Sequence, residues 1–226
     1  CKYLGSDKLL YGGVFHVIVH KLLTGTAQQN MVQTWNRLKQ IYCDLDIKTR
    51  YRVLKVSMFK RNLAGFPELR GRASEIKHLS KALLVLWNSY RTIGDRFHDY
   101  IHMALEASYR LDEILDVHRG EYNLPEEASR RFIGYALQYC QSCNLLYTWE
   151  NDRLFNVTYK HHALLHLAFG SAYESPRLGW CWMGEDFMRL TRHLISSCMK
   201  GTKLEDVNRK SAKKILRAMD VTNRED

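Results

Sequence analysis

The chain has 226 residues and a formal net charge of +10, with 46% hydrophobic and 26% charged residues and only three prolines and thirteen glycines. This is ordinary globular composition, long enough for one good-sized core, and it excludes a disordered chain except at the ends. The longest apolar run, Ala82 to Trp87, is six residues, against the roughly 20 that a membrane span needs, so a bilayer-crossing protein is not expected.

In chain order, Val14 to Val19 is an apolar run after Gly12-Gly13 that reads as a short strand or, better, as a helix reaching Thr24. Thr26 is the natural N-cap of a helix from Ala27 to Cys43, with Met31, Trp35, Leu38 and Tyr42 at helical spacing. Tyr51 to Phe59 fits either a basic extended segment or a helix. Gly65-Phe66-Pro67 breaks the chain, and Arg72 to Tyr90 follows as a helix with Ile76, Leu79, Leu83, Leu86 and Tyr90 on one face. A further helix is expected from Phe97 to His118. Another starts at Pro125-Glu126-Glu127, where proline suits the first turn and acids suit the positive end of the dipole, and runs to about Tyr147. A connection with β-favouring Leu154, Phe155 and Val157 leads to a short helix over Lys160 to Phe169 and a loop over Gly170 to Pro176. Amphipathic helices close the chain over Met183 to Met199 and about Lys203 to Met219. The fold expected is mainly α: a multi-helix array with at most one or two short strands. It is read as one helical domain with a basic part at 1–64, a helical part at 65–200 and a basic helix and tail at 201–226.

Charge is segregated. Lys48 to Lys81 holds ten Lys/Arg against two acids, Arg189 to Arg217 nine against two, and Asp95 to Glu127 nine acids against three arginines. A basic face turned to phosphates and an acidic face turned away would give this pattern, which makes DNA or another polyanion the expected partner. The phosphate contacts would come from Lys48, Arg50, Arg52, Lys55, Arg70, Arg72, Lys210, Lys213, Lys214 and Arg217. Two solvated helix faces with no partner would give it as well.

No cationic leader with an apolar stretch and cleavage site is present, which points to an intracellular protein. The first residue is Cys1 rather than methionine, which reads as a fragment of a longer open reading frame. Six cysteines, at 1, 43, 140, 143, 181 and 198, are expected as thiols or metal ligands rather than cystines. Cys140-x-x-Cys143 and His162-x-x-x-His166 have the pair spacings of structural zinc sites, and on two packed helices each pair would share a face. Burial of the thiols and solvation of the imidazoles explain the same residues. His16/His20 and His98/His102 repeat the i, i+4 spacing, so the spacing alone does not mark a site. Glu185, at a helix start, fits a divalent-metal ligand for phosphoryl transfer, or equally a dipole-favouring acid paired with Arg189. No phosphate-binding glycine loop, nucleophile elbow or His-Glu-x-x-His motif is present.

His162-x-x-x-His166, followed by Ser175-Pro176-Arg177-Leu178-Gly179-Trp180-Cys181-Trp182-Met183-Gly184-Glu185-Asp186-Phe187, resembles the end of the catalytic domain in CACTA- and Plavaka-type DDE transposases. The upstream Pro67-Glu68-Leu69-Arg70-Gly71-Arg72 and Leu154-Phe155-Asn156-Val157-Thr158 are similar to the helical insertion before the catalytic glutamate, so the resemblance covers roughly residues 65 to 200. It implies that Glu185 is the third ligand of an Asp-Asp-Glu metal site on an RNase H-like fold, that His162 and His166 support the site with Cys140 and Cys143 as candidate partners, and that the protein is nuclear. The family's Gly-Pro loop is replaced by Ser175-Pro176, and neither catalytic aspartate has a match here, because Asp7 is followed by Lys8-Leu9-Leu10. Magnesium would therefore bind only if missing aspartates completed the set, and zinc would be structural. The function expected is a nucleic-acid-binding helical fragment of transposase origin, catalytically inactive alone, with Trp180 and Trp182 in the core or stacking on bases. The alternative is a helical protein-interaction module with segregated acidic and basic faces.

Overall fold

The computed structural model describes residues 2–59, 65–149, 153–178, 195–199, 206–207 and 209–213. The chain forms two compact units, Cys1–Gly179 and Trp180–Asp226. It is a mainly helical multi-helix array, and no strand occurs among the described residues. No helix there is long and apolar enough to cross a membrane.

The first unit is built around its own beginning. Helix α1, Lys8–Val17, is extended at both ends by single π-helical turns, Tyr3–Asp7 and Ile18–Leu22, marked by the bonds from Asp7 N to Lys2 O (3.0 Å) and Leu23 N to Ile18 O (3.2 Å). Leu9, Leu10, Tyr11, Val14, Phe15, Val17, Ile18 and Val19 are all buried. A helix apolar on every side belongs in the interior, and this settles the strand-or-helix alternative at 14–19 in favour of helix. Gly12 and Gly13 make the enclosure feasible. A Cβ on Gly12 would lie 2.7 Å from the backbone of Leu69, and one on Gly13 2.6 Å from the Phe155 ring, so two chain segments cross this helix at backbone contact.

Helix α2, Ala27–Asp44, starts where Thr26 accepts from Gln29 N while the Gln29 side chain accepts from Thr26 N, a reciprocal cap worth about 1 kcal/mol. One turn in, the buried Asn30 amide donates to the carbonyls of Val19, Leu23 and Gly25, taking up acceptors orphaned at the end of the first helical run. Residues 47–55 are irregular, with bends at Thr49 and Arg52, and lead to a short 3₁₀ turn, Val56–Met58, so the basic segment forms neither a strand nor an α-helix.

Four longer helices follow: α3 Ala73–Asn88, α4 Arg96–Val117, α5 Glu126–Thr148 and α6 Tyr159–Phe169. They pack in sequence, α3 on α4, α4 on α5 and α5 on α6. Helix α4 is the pivot, burying Ile101, Leu105, Ala104, Ser108, Leu111 and Leu115 on more than one face. Pro125 precedes α5 and two acids fill its first turn, as the sequence indicates. Residues 153–158 are irregular despite their β-favouring side chains. Leu154 and Phe155 are spent on the core beside Gly13, and no strand among the described residues offers them a ladder.

In the second unit, residues 195–199 and 209–213 are helical, with Cys198 and Ser211 buried and Lys210 and Lys213 exposed. Arg209 pairs with Asp206 at 2.9 Å.

Candidate nucleic-acid interface

The C-terminal half of α2 and the irregular segment after it build one groove in the first unit. Trp35, Lys39, Tyr42 and Cys43 lie one turn apart along a single helix face, and with Arg50, Tyr51 and Arg52 they line a groove of about 330 Å³. The Lys39 ammonium sits 5.9 Å from the Trp35 ring centroid, and the Trp35 and Tyr42 rings meet edge-on at 6.5 Å and 76°. Arg50 Nη1 reaches Cys43 Sγ at 3.7 Å.

The irregular segment is held in place by Tyr51. Its ring is buried and its hydroxyl donates to the Arg70 carbonyl at 3.3 Å. It crosses Gly71 so closely that a Cβ there would lie 1.9 Å from the hydroxyl oxygen, so only glycine lets the Tyr51 ring seat. Burial lifts the phenols of Tyr42 and Tyr51 well above their ordinary range, and both walls of the groove stay neutral.

Around the groove, Arg52, Lys55, Arg70 and Arg72 are exposed and make no ion pair among the described residues. Glu75, whose charge reaches the two tyrosines, accepts from the Arg72 amide at 2.8 Å and so caps α3. Lys48 differs, being paired with Asp46 at 2.5 Å. The structure thus brings Arg50 and Arg52 together in one groove and leaves Lys55, Arg70 and Arg72 on exposed surface. Lys210 and Lys213 are exposed in the second unit, while Lys214, Arg217, Trp180, Trp182 and Glu185 lie outside the described residues.

Other charges are turned inward. Lys2, on the chain's first described residue, donates to Asp7 Oδ2 (2.8 Å), Ser108 Oγ (3.0 Å) and both carboxylate oxygens of Asp112 (3.0 and 3.1 Å). Tyr3 donates to Asp112 Oδ1 at 2.9 Å, and Tyr139 and Ser108 each donate to Asp7 Oδ1 at 3.1 Å. Asp7 is 0% exposed. Two carboxylates sharing one ammonium leave a net negative charge inside the protein. Burial therefore pushes the Asp112 carboxyl up to about 6 in spite of Lys2, and the Asp7 charge adds to the effect. Burial opposes the charged form of Lys2, but Asp112 and Asp7 outweigh it and hold the ammonium protonated.

Next to this cluster a cavity of about 430 Å³ opens between α3 and α4, lined among others by Lys77, His78, Lys81, Glu113 and Asp116. Its charges pair across it or beside it. Lys77 meets Asp116 at 2.6 Å, Arg177 meets the same carboxylate at 3.4 Å, and Glu113 accepts from Arg110 and Tyr109 at 2.8 Å each. Part of the basic 48–81 stretch and part of the acidic 95–127 stretch thus neutralise one another within the unit.

The four candidate zinc ligands are not gathered. His162 and His166 are exposed, with their Nε2 atoms 2.8 Å apart, a contact in which one ring donates and the other accepts. Cys140 donates to the His161 carbonyl at 3.5 Å, and burial pushes its thiol up to about 11. Cys143 is buried, its thiol raised further by burial and by Cys140. It is His161, not His162, that turns into the core, stacking on Tyr139 with centroids 5.8 Å apart. Among the described residues no group of three or more His, Cys, Asp or Glu side chains is arranged to hold a metal ion. Asp7 and Asp112 do converge, but around an ammonium, which fills the place a cation would take.

Trp35, Lys39 and Tyr51 were not among the sequence-derived contacts. Their signals were the i, i+4 spacing of Trp35 and Lys39 and the alternation Arg50-Tyr51-Arg52, in which the apolar ring is buried and the two flanking guanidiniums are exposed. No protein family, no curated protein and no solved structure matches the chain.

Proposed function

We propose that this chain is a nucleic-acid-binding helical module of DDE-transposase origin that does not cut DNA by itself. The observation that carries the binding reading is the groove on α2, where Lys39, Arg50 and Arg52 surround aromatic side chains and Lys55, Arg70 and Arg72 extend the positive surface without carboxylate partners. Exposed cations that are not held in ion pairs are available to phosphate and release counterions when they bind. The transposase origin is supported by the resemblance over residues 162–187. The inactivity follows from that resemblance too, since the residues matching its pattern supply Glu185 but neither aspartate. The rival reading, a protein-docking module with a free acidic face, loses support from Asp112 and Asp116, which are spent on Lys2, Lys77 and Arg177.

Binding of the full chain to a fluorescent duplex of about 30 base pairs, followed by anisotropy from about 50 to 200 mM salt, tests this. The expected plot of log affinity against log salt is linear and steep, with a slope of about −0.9 per phosphate contact. No detectable binding at about 50 mM salt, or binding indifferent to salt, overturns it.

A further inference from the structure

The groove is more than a positive surface. It has depth, and about 330 Å³ is at the lower end of the roughly 300–1,000 Å³ typical of small-ligand pockets. It also holds an aromatic ring among its cations. Duplex DNA would leave that ring idle, because its bases are stacked and paired inside and only its phosphates reach a protein groove of this kind. A single strand offers both a phosphate and an unstacked base.

We propose that this groove is a single-strand subsite, in which an unpaired base stacks on Trp35 while its phosphate is held by Arg50, Arg52 and Lys39. Trp35 is half-buried, met edge-on by the buried Tyr42 ring, and the Lys39 ammonium lies 5.9 Å from its centroid. Lys39 is exposed on a flexible stem, and its contact with the ring is weaker than base stacking on an aromatic side chain. An incoming base displaces it, and the released ammonium is then free for the phosphate. Tyr42 walls the groove with a buried hydroxyl that lies near the Tyr51 backbone yet completes no hydrogen bond there. Cys43 is exposed at the groove, and the other described cysteines are not, so its thiol reports occupancy directly. An acidic peptide would satisfy the cations but make no use of the ring.

This inference rests on the nucleic-acid reading, and its test separates the two. The full chain is titrated with a fluorescent oligothymidine of about 12 nucleotides and with a duplex of the same length, alongside Trp35→Ala, Trp35→Phe and the Arg50→Gln/Arg52→Gln double variant. The single strand is expected to bind at least about tenfold more tightly than the duplex. Trp35→Ala should weaken the single strand by about five- to 150-fold, the range that loss of one stacked base gives, and leave the duplex nearly unchanged. Trp35→Phe should restore most of the loss. Saturating oligothymidine should slow modification of Cys43 by a thiol reagent, which reads the site even if the alanine variant folds poorly. Equal binding of strand and duplex, with neither Trp35→Ala nor Cys43 responding, overturns the subsite and leaves the phosphate-binding reading standing. Loss of both ligands overturns both readings. Displacement of oligothymidine by an oligoglutamate as effective as oligothymidine itself overturns base recognition in favour of an acidic segment.

Discussion

The first unit holds two charged clusters built on opposite terms. Around Lys2 the charges are enclosed, and every oxygen of Asp7 and Asp112 that the cluster uses has a donor within 3.1 Å. Around Trp35 the cations face solvent, and the acids that accompany them, Asp46 and Glu75, are occupied with Lys48 and the start of α3. A charged residue in the sequence has no fixed meaning between these extremes. An enclosed, paired charge specifies where helices meet, and an exposed, unpaired one is available to a partner. The energetic signature differs accordingly, since buried charges should answer to stability measurements and surface charges to binding measurements.

Removing Lys2 is the most severe way to break that contrast. Lys2→Met leaves two carboxylates buried without their cation, and urea denaturation should show a loss of about 3–5 kcal/mol. A loss under about 1 kcal/mol would mean that the cluster is open to water and that the two regions do not differ in kind.

Titration sharpens it. An acid whose folded pKa is raised binds its proton more tightly in the folded state, so its stabilising contribution is present at low pH and lost as pH rises through the folded value. With Asp112 at about 6, the stability of the parent protein relative to Asp112→Asn should fall between about pH 4 and 6.5, by on the order of 2–3 kcal/mol in all. Histidines held neutral by burial, His161 and His102 among them, destabilise the protein in the opposite direction as pH falls. The difference between parent and variant, rather than either curve alone, therefore reads Asp112. A flat difference across that range would show that Asp112 is ionised throughout.

The smallest effect on stability is expected at the groove. Arg50→Gln with Arg52→Gln should change the folding free energy by no more than about 0.5 kcal/mol each, while the salt slope of nucleic-acid binding should shallow by about 0.7–0.9 per lost phosphate contact. A slope that does not move would take both guanidiniums out of the interface.

The helices were largely legible in the sequence because their signals are local. Thr26 with Gln29, Pro125 with two acids, and the 3.6-residue spacing of Ile76, Leu79, Leu83 and Leu86 each lie within a few turns and need no knowledge of the rest of the chain. The cationic segment at 48–55 was legible as charge but not as shape, because Tyr51 is seated on Arg70 and Gly71, nineteen and twenty positions away. The buried cluster was not legible at all. Asp112 sits in the most acidic stretch of the sequence, where an outward face is the natural reading, and it is turned inward by Lys2 at a separation of 110 residues. Cys140 and His162 show the converse. Their spacing is that of a metal site, yet packing puts His161 rather than His162 on the inner face of α6.

The enclosure of the first helical run also sets an order of events during synthesis. Residues 2–22 leave the ribosome well before Tyr139, which donates to Asp7 and lies 132 positions later. At about 5–20 residues per second, the segment waits roughly 7–26 s before Tyr139 exists, and Phe155 and Lys160, which also meet it, come later still. Phe59 and Leu69 cover part of the helix earlier, but Asp7 lacks its Tyr139 donor for that interval, and non-local closure of this kind is the slow step in small proteins. The same glycine pair that lets the segments around Leu69 and Phe155 cross the helix at backbone contact thus ties its full enclosure to chain made long after it.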